Sequence, residues 1–405
     1  MLESKYYVKR QDVFFYFAWI LFLCSVLFEN TAFFLMHQDS LSVLTKGIRY
    51  FSYLVFGLKI IYSSQIIKKR FVALIVYLFL IFAISCIVST NRTMLLYFIV
   101  LLAAIQVDSN QIMKLTVWIQ GITLAVVIGL SQIGILEDYI FGREVGRLRH
   151  GLGFSWTTTG PILYLYLLLG YIYLKKEKFN FGQALILELI NIVLFIWTNT
   201  KMAFFLSSLF MLYFAIKGRN RQKHKNEKWL NSKKMVWLLI PIFFCLFAIL
   251  SAKYYTPTNH VLKWINRIVS NRLQLGYNAI QSYGFTLFGQ PIKWVGFDIK
   301  KSSLHKISTY NYVDSSYLQM TLEYGFFFVM IIIGIYIYGI YKAIKDRDSY
   351  LLAIYLIILL FSLVEPRLMH LAFNPFPLVI FSKMRTRETR RHVFNIKNTH
   401  GFNET

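Results

Sequence analysis

Acidic residues are scarce in this chain: 19 Asp and Glu stand against 44 Lys and Arg in 405 residues, a formal net charge of +25. Cysteine is nearly absent. Cys24, Cys86 and Cys245 fall inside apolar runs, spell neither a disulfide framework nor a metal site, and read as packing residues. No His/Cys cluster, Gly-rich phosphate loop, Walker pattern or G-x-S-x-G occurs, so ATP-driven and serine-hydrolase mechanisms have no support.

What the chain has in abundance is apolar sequence. It is 57% hydrophobic and 18% aromatic, with mean hydropathy +0.51, which excludes an ordinary soluble domain. A bilayer core needs roughly 20 apolar residues per helix. Runs of that kind predict spans near 13–36, 47–67, 71–88, 93–107, 112–136, 154–174, 181–198, 202–216, 235–252, 314–341, 349–365 and 368–382. The fold class expected is therefore an all-α polytopic integral membrane protein with about twelve transmembrane helices. The first run is too long for a signal-peptide core and lacks a small-residue cleavage pattern, so it reads as a retained span.

A charge of +25 would point to nucleic acid in a soluble protein, but here the positive-inside rule explains most of it. With the N-terminus in the cytoplasm, every inside segment carries a base, and together they hold 27 of the 44 Lys and Arg. Both termini are thus expected inside, and the bases of 217–234 and of the tail 383–405 need only anionic headgroups. No nucleic-acid partner is implied.

Two outside loops run against this trend. "EDYIFGREVGRLRHGLG" (137–153) carries Arg143 and Arg147 at i, i+4, followed by Arg149 and His150. The loop 253–312 has 60 residues with eight Lys or Arg and a single acid, Asp298. Translocated bases are disfavoured, so they are expected to meet an anion. Within it, "VLKWINRIVSNRLQLGYNAI" (261–280) has helical period, with Lys263 and Arg267 opposite an apolar stripe and Arg272 near its middle. Such a helix is expected to lie on the outer membrane surface, with Arg272 at phosphate depth, on an ordinary lipid or on the phosphate of a lipid-linked substrate.

Smaller signals lie elsewhere. Lys201 stands in "WTNTKMAFF" beside Thr198 and Thr200, at the ends of two adjoining spans. Glu365 precedes Pro366 and Arg367, and Glu29 and Lys59 also fall within spans; charges at that depth mark sites or pair with each other. Asp346-x-Asp348 has the spacing of a divalent-metal motif but falls in a short inside turn, where it reads as solvated. "NYVDSSYLQMTLEYG" (311–325) leads into a long apolar run, with Asp314 placed as a helix N-cap or as a functional acid.

Four segments taken together resemble the Wzy-type polysaccharide repeat-unit polymerases, relatives of the O-antigen ligases. They are "RLRHGLGFSWTTTGPI" (147–162), "TNTKMAFFLS" (198–207), "NRLQLGYNAIQSYGFTLFGQP" (271–291) and "VDSSYLQMTLEYGFFF" (313–328). Lys201 stands where that family usually has Arg, and Asp314 where the ligases usually carry His. The resemblance implies a GT-C-like architecture in a bacterial plasma membrane: a nine-helix region (1–252), a large outer loop (253–312), C-terminal helices (313–382) and a basic cytoplasmic tail (383–405).

It further implies a metal-independent, cofactor-free glycosyltransferase of the outer face, joining undecaprenyl-pyrophosphate-linked repeat units into capsular, exo- or O-antigen polysaccharide. Donor and acceptor are lipid-linked glycans, with a flippase and a chain-length regulator as companions. Asp314, Arg272 and Glu323 are the expected catalytic residues, with His305 as an alternative base. Arg143, Arg147, Arg149, His150, Lys201, Arg267, His305 and Glu365 are the expected substrate-binding residues. A ligase-type transfer to another acceptor and a lipid-linked oligosaccharide flippase are the alternatives.

Overall fold

The computed structural model describes residues 10–63, 69–141, 148–219, 230, 232–296 and 310–383. Among them the chain is mostly helical; one two-residue ladder pairs β1 (Ile140–Phe141) with β2 (Arg149–His150) in antiparallel register. Arg143, Arg147 and His305 lie outside the described residues.

Among the described residues six helices are long and apolar enough to cross a membrane: Asp12–Glu29, Ser109–Gln132, Phe181–Thr198, Lys201–Arg219, Lys234–Lys253 and Phe326–Lys345. They belong to α1 (Arg10–Glu29), α6 (Ser109–Gln132), α8 (Phe181–Thr198), α9 (Lys201–Arg219), α10 (Lys234–Lys253) and α14 (Phe326–Lys345). The protein is thus a mostly helical membrane protein. Shorter or more polar helices occupy other predicted runs: α3 (Gln38–Ser63), α4 (Lys69–Val88), α5 (Thr93–Ala103), α7 (Thr159–Lys175) and α15 (Ser349–Phe361).

Four predicted elements are broken, each for a visible reason. The run 13–36 ends as a helix at Glu29, because the Thr31 hydroxyl accepts from the Phe34 amide and starts a separate turn, α2 (Ala32–Met36). The helix predicted over 261–280 splits into α11 (His260–Ile268) and α12 (Arg272–Tyr283), with Ser270 and Asn271 both at positive φ. Buried Asn266 causes the split: its Oδ1 accepts from the Leu273 and Gln274 amides at 3.0 and 3.2 Å, so the cap of α12 comes from the preceding helix. Arg272 therefore opens a second helix and does not sit mid-stripe on a continuous one.

The run 314–341 is interrupted at Gly325 (φ +88), giving α13 (Ser316–Tyr324) before α14. The amides of Phe326 and Phe327 donate to the Thr286 and Leu287 carbonyls, so a neighbouring loop satisfies the groups the break exposes. The run 368–382 is helical only over α16 (Phe376–Phe381).

Residues 362–375 instead form an irregular, largely buried segment held by side chains. Gln120 donates to the Ala372 and Phe373 carbonyls at 2.8 and 3.0 Å, and Asn374 and Tyr336 donate to the Leu368 carbonyl. Non-helical backbone at such depth persists only when protein groups replace the missing helical bonds.

The Gly325 break tests this account. A Cβ there would meet the Gly289 amide and the Leu287 carbonyl and would require positive φ of a non-glycine residue. Gly325→Ala is expected to lower thermal stability in detergent strongly, by about 1–3 kcal/mol from backbone strain alone. Gly57→Ala, on a helix with open space around the position, should leave the melting temperature within a degree or two.

Candidate functional site

The site is built where α12 meets α13. Gly276 lets the helices approach: a Cβ there would lie 2.7 Å from Leu318 Cδ2 and 3.0 Å from Ala252 Cβ. Arg272 opens α12 four residues before Gly276, and Asp314 lies two residues before α13 begins, so both charged residues stand at the helix starts beside this close contact. Arg272 Nε donates to Asp314 Oδ2 at 3.0 Å, with about a fifth to a quarter of each side chain exposed. The ion pair uses one nitrogen of the guanidinium and one carboxylate oxygen. Among the described residues the Nη groups and Oδ1 have no partner.

Asp314 is not the helix N-cap. Ser315 takes that position, with no side-chain cap bond, and Asp314 is free to turn to Arg272. Ser316 then ties α13 to the irregular segment: its Oγ donates to the Glu365 carbonyl at 2.5 Å and accepts from the Leu368 amide at 3.0 Å. That anchoring places Glu365 and Arg367 beside the first pair. Glu365 is buried and ion-paired with Arg367 Nη1, and the guanidinium lies 4.8 Å from the centre of the Phe373 ring. Asp314 and Arg272 are close enough to act electrostatically on Glu365.

Two tyrosines complete the cluster. Tyr310 is pushed up to about 12 by burial and by the neighbouring Asp314 charge, so its phenol stays a proton donor. Tyr312 is also raised, chiefly by burial, and stands close enough to feel Arg367, Glu365 and Asp314. The result is two arginines, two carboxylates and two phenols at the start of α13. Free guanidinium edges beside hydroxyl donors suit a phosphoanion, and Asp314 Oδ1 is an available acceptor.

The other expected residues are placed differently. Glu323 is buried with both oxygens occupied, Oε1 by Asn91 Nδ2 at 2.7 Å and Oε2 by Trp294 Nε1 at 2.9 Å. It therefore braces loop 284–296 against the α4–α5 turn as a strut. Arg149 donates to the Thr198 carbonyl at 2.9 Å and to Thr200 Oγ1 at 3.4 Å, at the carboxyl end of α8. There a cation satisfies orphan carbonyls and the helix dipole. His150 bonds Asp138 at 2.6 Å, and Asp138 in turn accepts from the Leu152 amide.

Lys201 begins α9 exposed, without a partner among the described residues. The structure thus brings the 147–162 and 198–207 segments together through Arg149. Arg267 is exposed on α11, away from the Arg272 pair.

Charges elsewhere have structural explanations. Lys59 donates to the Ile105 carbonyl just past α5. Asp348 caps α15 by accepting from the Leu351 amide and is ion-paired with Lys176. No group of three metal-ligating side chains occurs among the described residues. Tyr283 and Trp294 are partly buried against each other, and Asn311 donates to the Tyr283 hydroxyl, so these rings hold the loop together.

Sequence reasoning placed Arg367 only as the partner of Glu365 and passed over Tyr310, Tyr312 and Ser316. For Arg367 a signal existed, the charged "EPR" within an apolar run. For the others there was none beyond nearness to Asp314. No family model, curated protein or solved structure matches the chain.

Ser316 and Ser315 make a contrasting pair. Ser316→Ala strands a buried carbonyl and a buried amide and is expected to cost about 1–3 kcal/mol in thermal or denaturant unfolding. Ser315 Oγ is buried with no partner, so Ser315→Ala should be neutral or slightly stabilising in the same measurement.

Proposed function

We propose that the protein is a glycosyltransferase of the cell membrane that polymerises lipid-pyrophosphate-linked oligosaccharides on the outer face. The observation that carries the reading is the Arg272–Asp314 pair with Arg367 and Glu365 beside it. A phosphoanion-binding edge and a free carboxylate oxygen stand in one mostly buried cluster that keeps some exposure. The positive-inside count supports an outer location for residues 253–312, and the resemblance of four ordered segments to the polysaccharide polymerases supports the substrate class.

In this reading the pyrophosphate of the donor lies against the Arg272 Nη groups, with Arg367 and the Tyr310 hydroxyl as further donors. A hydroxyl at the non-reducing end of the acceptor glycan attacks the anomeric carbon of the donor. Its proton passes to Asp314 Oδ1 as the new glycosidic bond forms. The bond from anomeric carbon to phosphate oxygen breaks, and the lipid pyrophosphate leaves with the electron pair. The negative charge on that leaving group grows through the transition state, and preorganised guanidinium groups stabilise it more than they stabilise the ground state.

Glu323, with both oxygens occupied, positions the loop and takes no proton. Arg149 and His150 support the α8–α9 turn that presents Lys201.

The test is the glycan profile of a deletion strain complemented with single variants. Arg272→Ala or Asp314→Ala is expected to leave single lipid-linked repeat units where the wild-type gene restores long chains. Arg272→Lys, which keeps the charge and loses the fork, should restore polymer only in part. Long chains that remain lipid-linked would identify a ligase, and repeat units trapped on the cytoplasmic side a flippase. Normal polymer from both alanine variants would refute the site.

A further inference from the structure

A third arginine–carboxylate pair of the same construction stands within reach of His370 in segment 362–375. Arg49 Nη1 donates to Glu29 Oε2 at 2.6 Å, with 26% and 19% of the side chains exposed. As with Arg272 and Arg367, one nitrogen is engaged and the remaining guanidinium donors have no partner among the described residues. The link to the other pairs runs through Tyr97 and His370. Tyr97 is buried near enough to Arg49 and Glu29 to feel both charges, and its ring packs edge-on against His370 at 6.1 Å. His370 in turn lies within electrostatic reach of Arg367 and Arg49, and its Nδ1 is buried without a partner. Arg272, Arg367 and Arg49 are thus each tethered by one acid, Asp314, Glu365 and Glu29, and Arg367 and Arg49 are linked through His370.

The surroundings of Arg49 identify the kind of anion. At 100° per residue, Lys46 lies between Arg49 and a stripe of Val43, Tyr50, Leu54 and Ile61 on α3. Lys46 is exposed and unpaired among the described residues, and the stripe residues are 76%, 62%, 58% and 70% exposed. An apolar chain lying on that stripe would put its phosphate at Lys46 and Arg49. A free phosphate has no use for the stripe.

We propose that Arg49 and Lys46 form a second lipid-phosphate site, separate from the one at Arg272. It rests on the polymerase reading, which requires two lipid-linked substrates at once. The Arg272 site then holds one lipid pyrophosphate and the Arg49 site the other, with His370 and Arg367 between them.

The experiment uses the full chain in phosphatidylcholine nanodiscs and geranylgeranyl diphosphate as probe, with the number of molecules bound read by equilibrium binding and native mass spectrometry. Wild type is expected to bind two, and Arg49→Ala and Arg272→Ala one each. Losing the charge-assisted bonds should weaken the affected site about ten- to a hundredfold. Arg49→Lys, which preserves the Glu29 pair and the fold, should weaken it less, and inorganic pyrophosphate should compete poorly.

Two molecules bound at wild-type affinity by Arg49→Ala would overturn the proposal. So would a single wild-type site abolished by Arg272→Ala, which leaves the proposed function standing. Equal competition by inorganic pyrophosphate would make Arg49 a site for free anions. Failure of wild type to bind the probe at all would remove the polymerase reading together with the second site.

Discussion

A chain folded in lipid has no water with which to satisfy backbone N–H and C=O groups, and every departure from helix has to be balanced by a specific protein partner. In this protein that constraint organises everything around the candidate site. The break at Gly325 is tolerated because the Phe326 and Phe327 amides find carbonyls in loop 284–296, and Glu323 pins that loop through Trp294. The irregular segment 362–375 persists because Gln120, Asn374, Tyr336 and Ser316 bond its backbone. Loops and breaks that look unrelated along the chain are each other's hydrogen-bond partners.

The charged residues follow from the same arrangement. An arginine or carboxylate at this depth is costly when isolated, and here Arg49, Arg272 and Arg367 are each tethered by one acid. Tethering through a single nitrogen neutralises the pair while keeping part of the guanidinium available. It also fixes the side chain before any ligand arrives, which limits the entropy lost on binding. The three pairs combine neutral resting charge with preorganised donors, a property that a solvated basic loop lacks.

Much of the architecture was legible in the chain. Helices α8, α9 and α10 follow predicted spans closely, since uninterrupted apolar runs between charged ends leave one stable solution in lipid. The break between α11 and α12 was not legible, because the cap of α12 is the side chain of Asn266, which local helical periodicity counts as one more polar position. Asp314 was ambiguous for a related reason: a cap and an ion-pair partner look alike until the position of Arg272 is known. The partner of Arg149 was not legible either, because the carbonyl it satisfies lies 49 residues away.

The sequence by itself determined that this is a helical membrane protein with an excess of bases, and that Arg272, Asp314 and Glu365 are charges in need of an explanation. Composition and apolar run length are properties of the chain alone, and partition into lipid depends on little else. Only the tertiary structure decided which charge meets which. Gly276 brings α12 onto α13, and Ser316 draws the Glu365 segment to the same place. These contacts join segments up to about fifty residues apart, and close packing between helices sets them where no local pattern could record them.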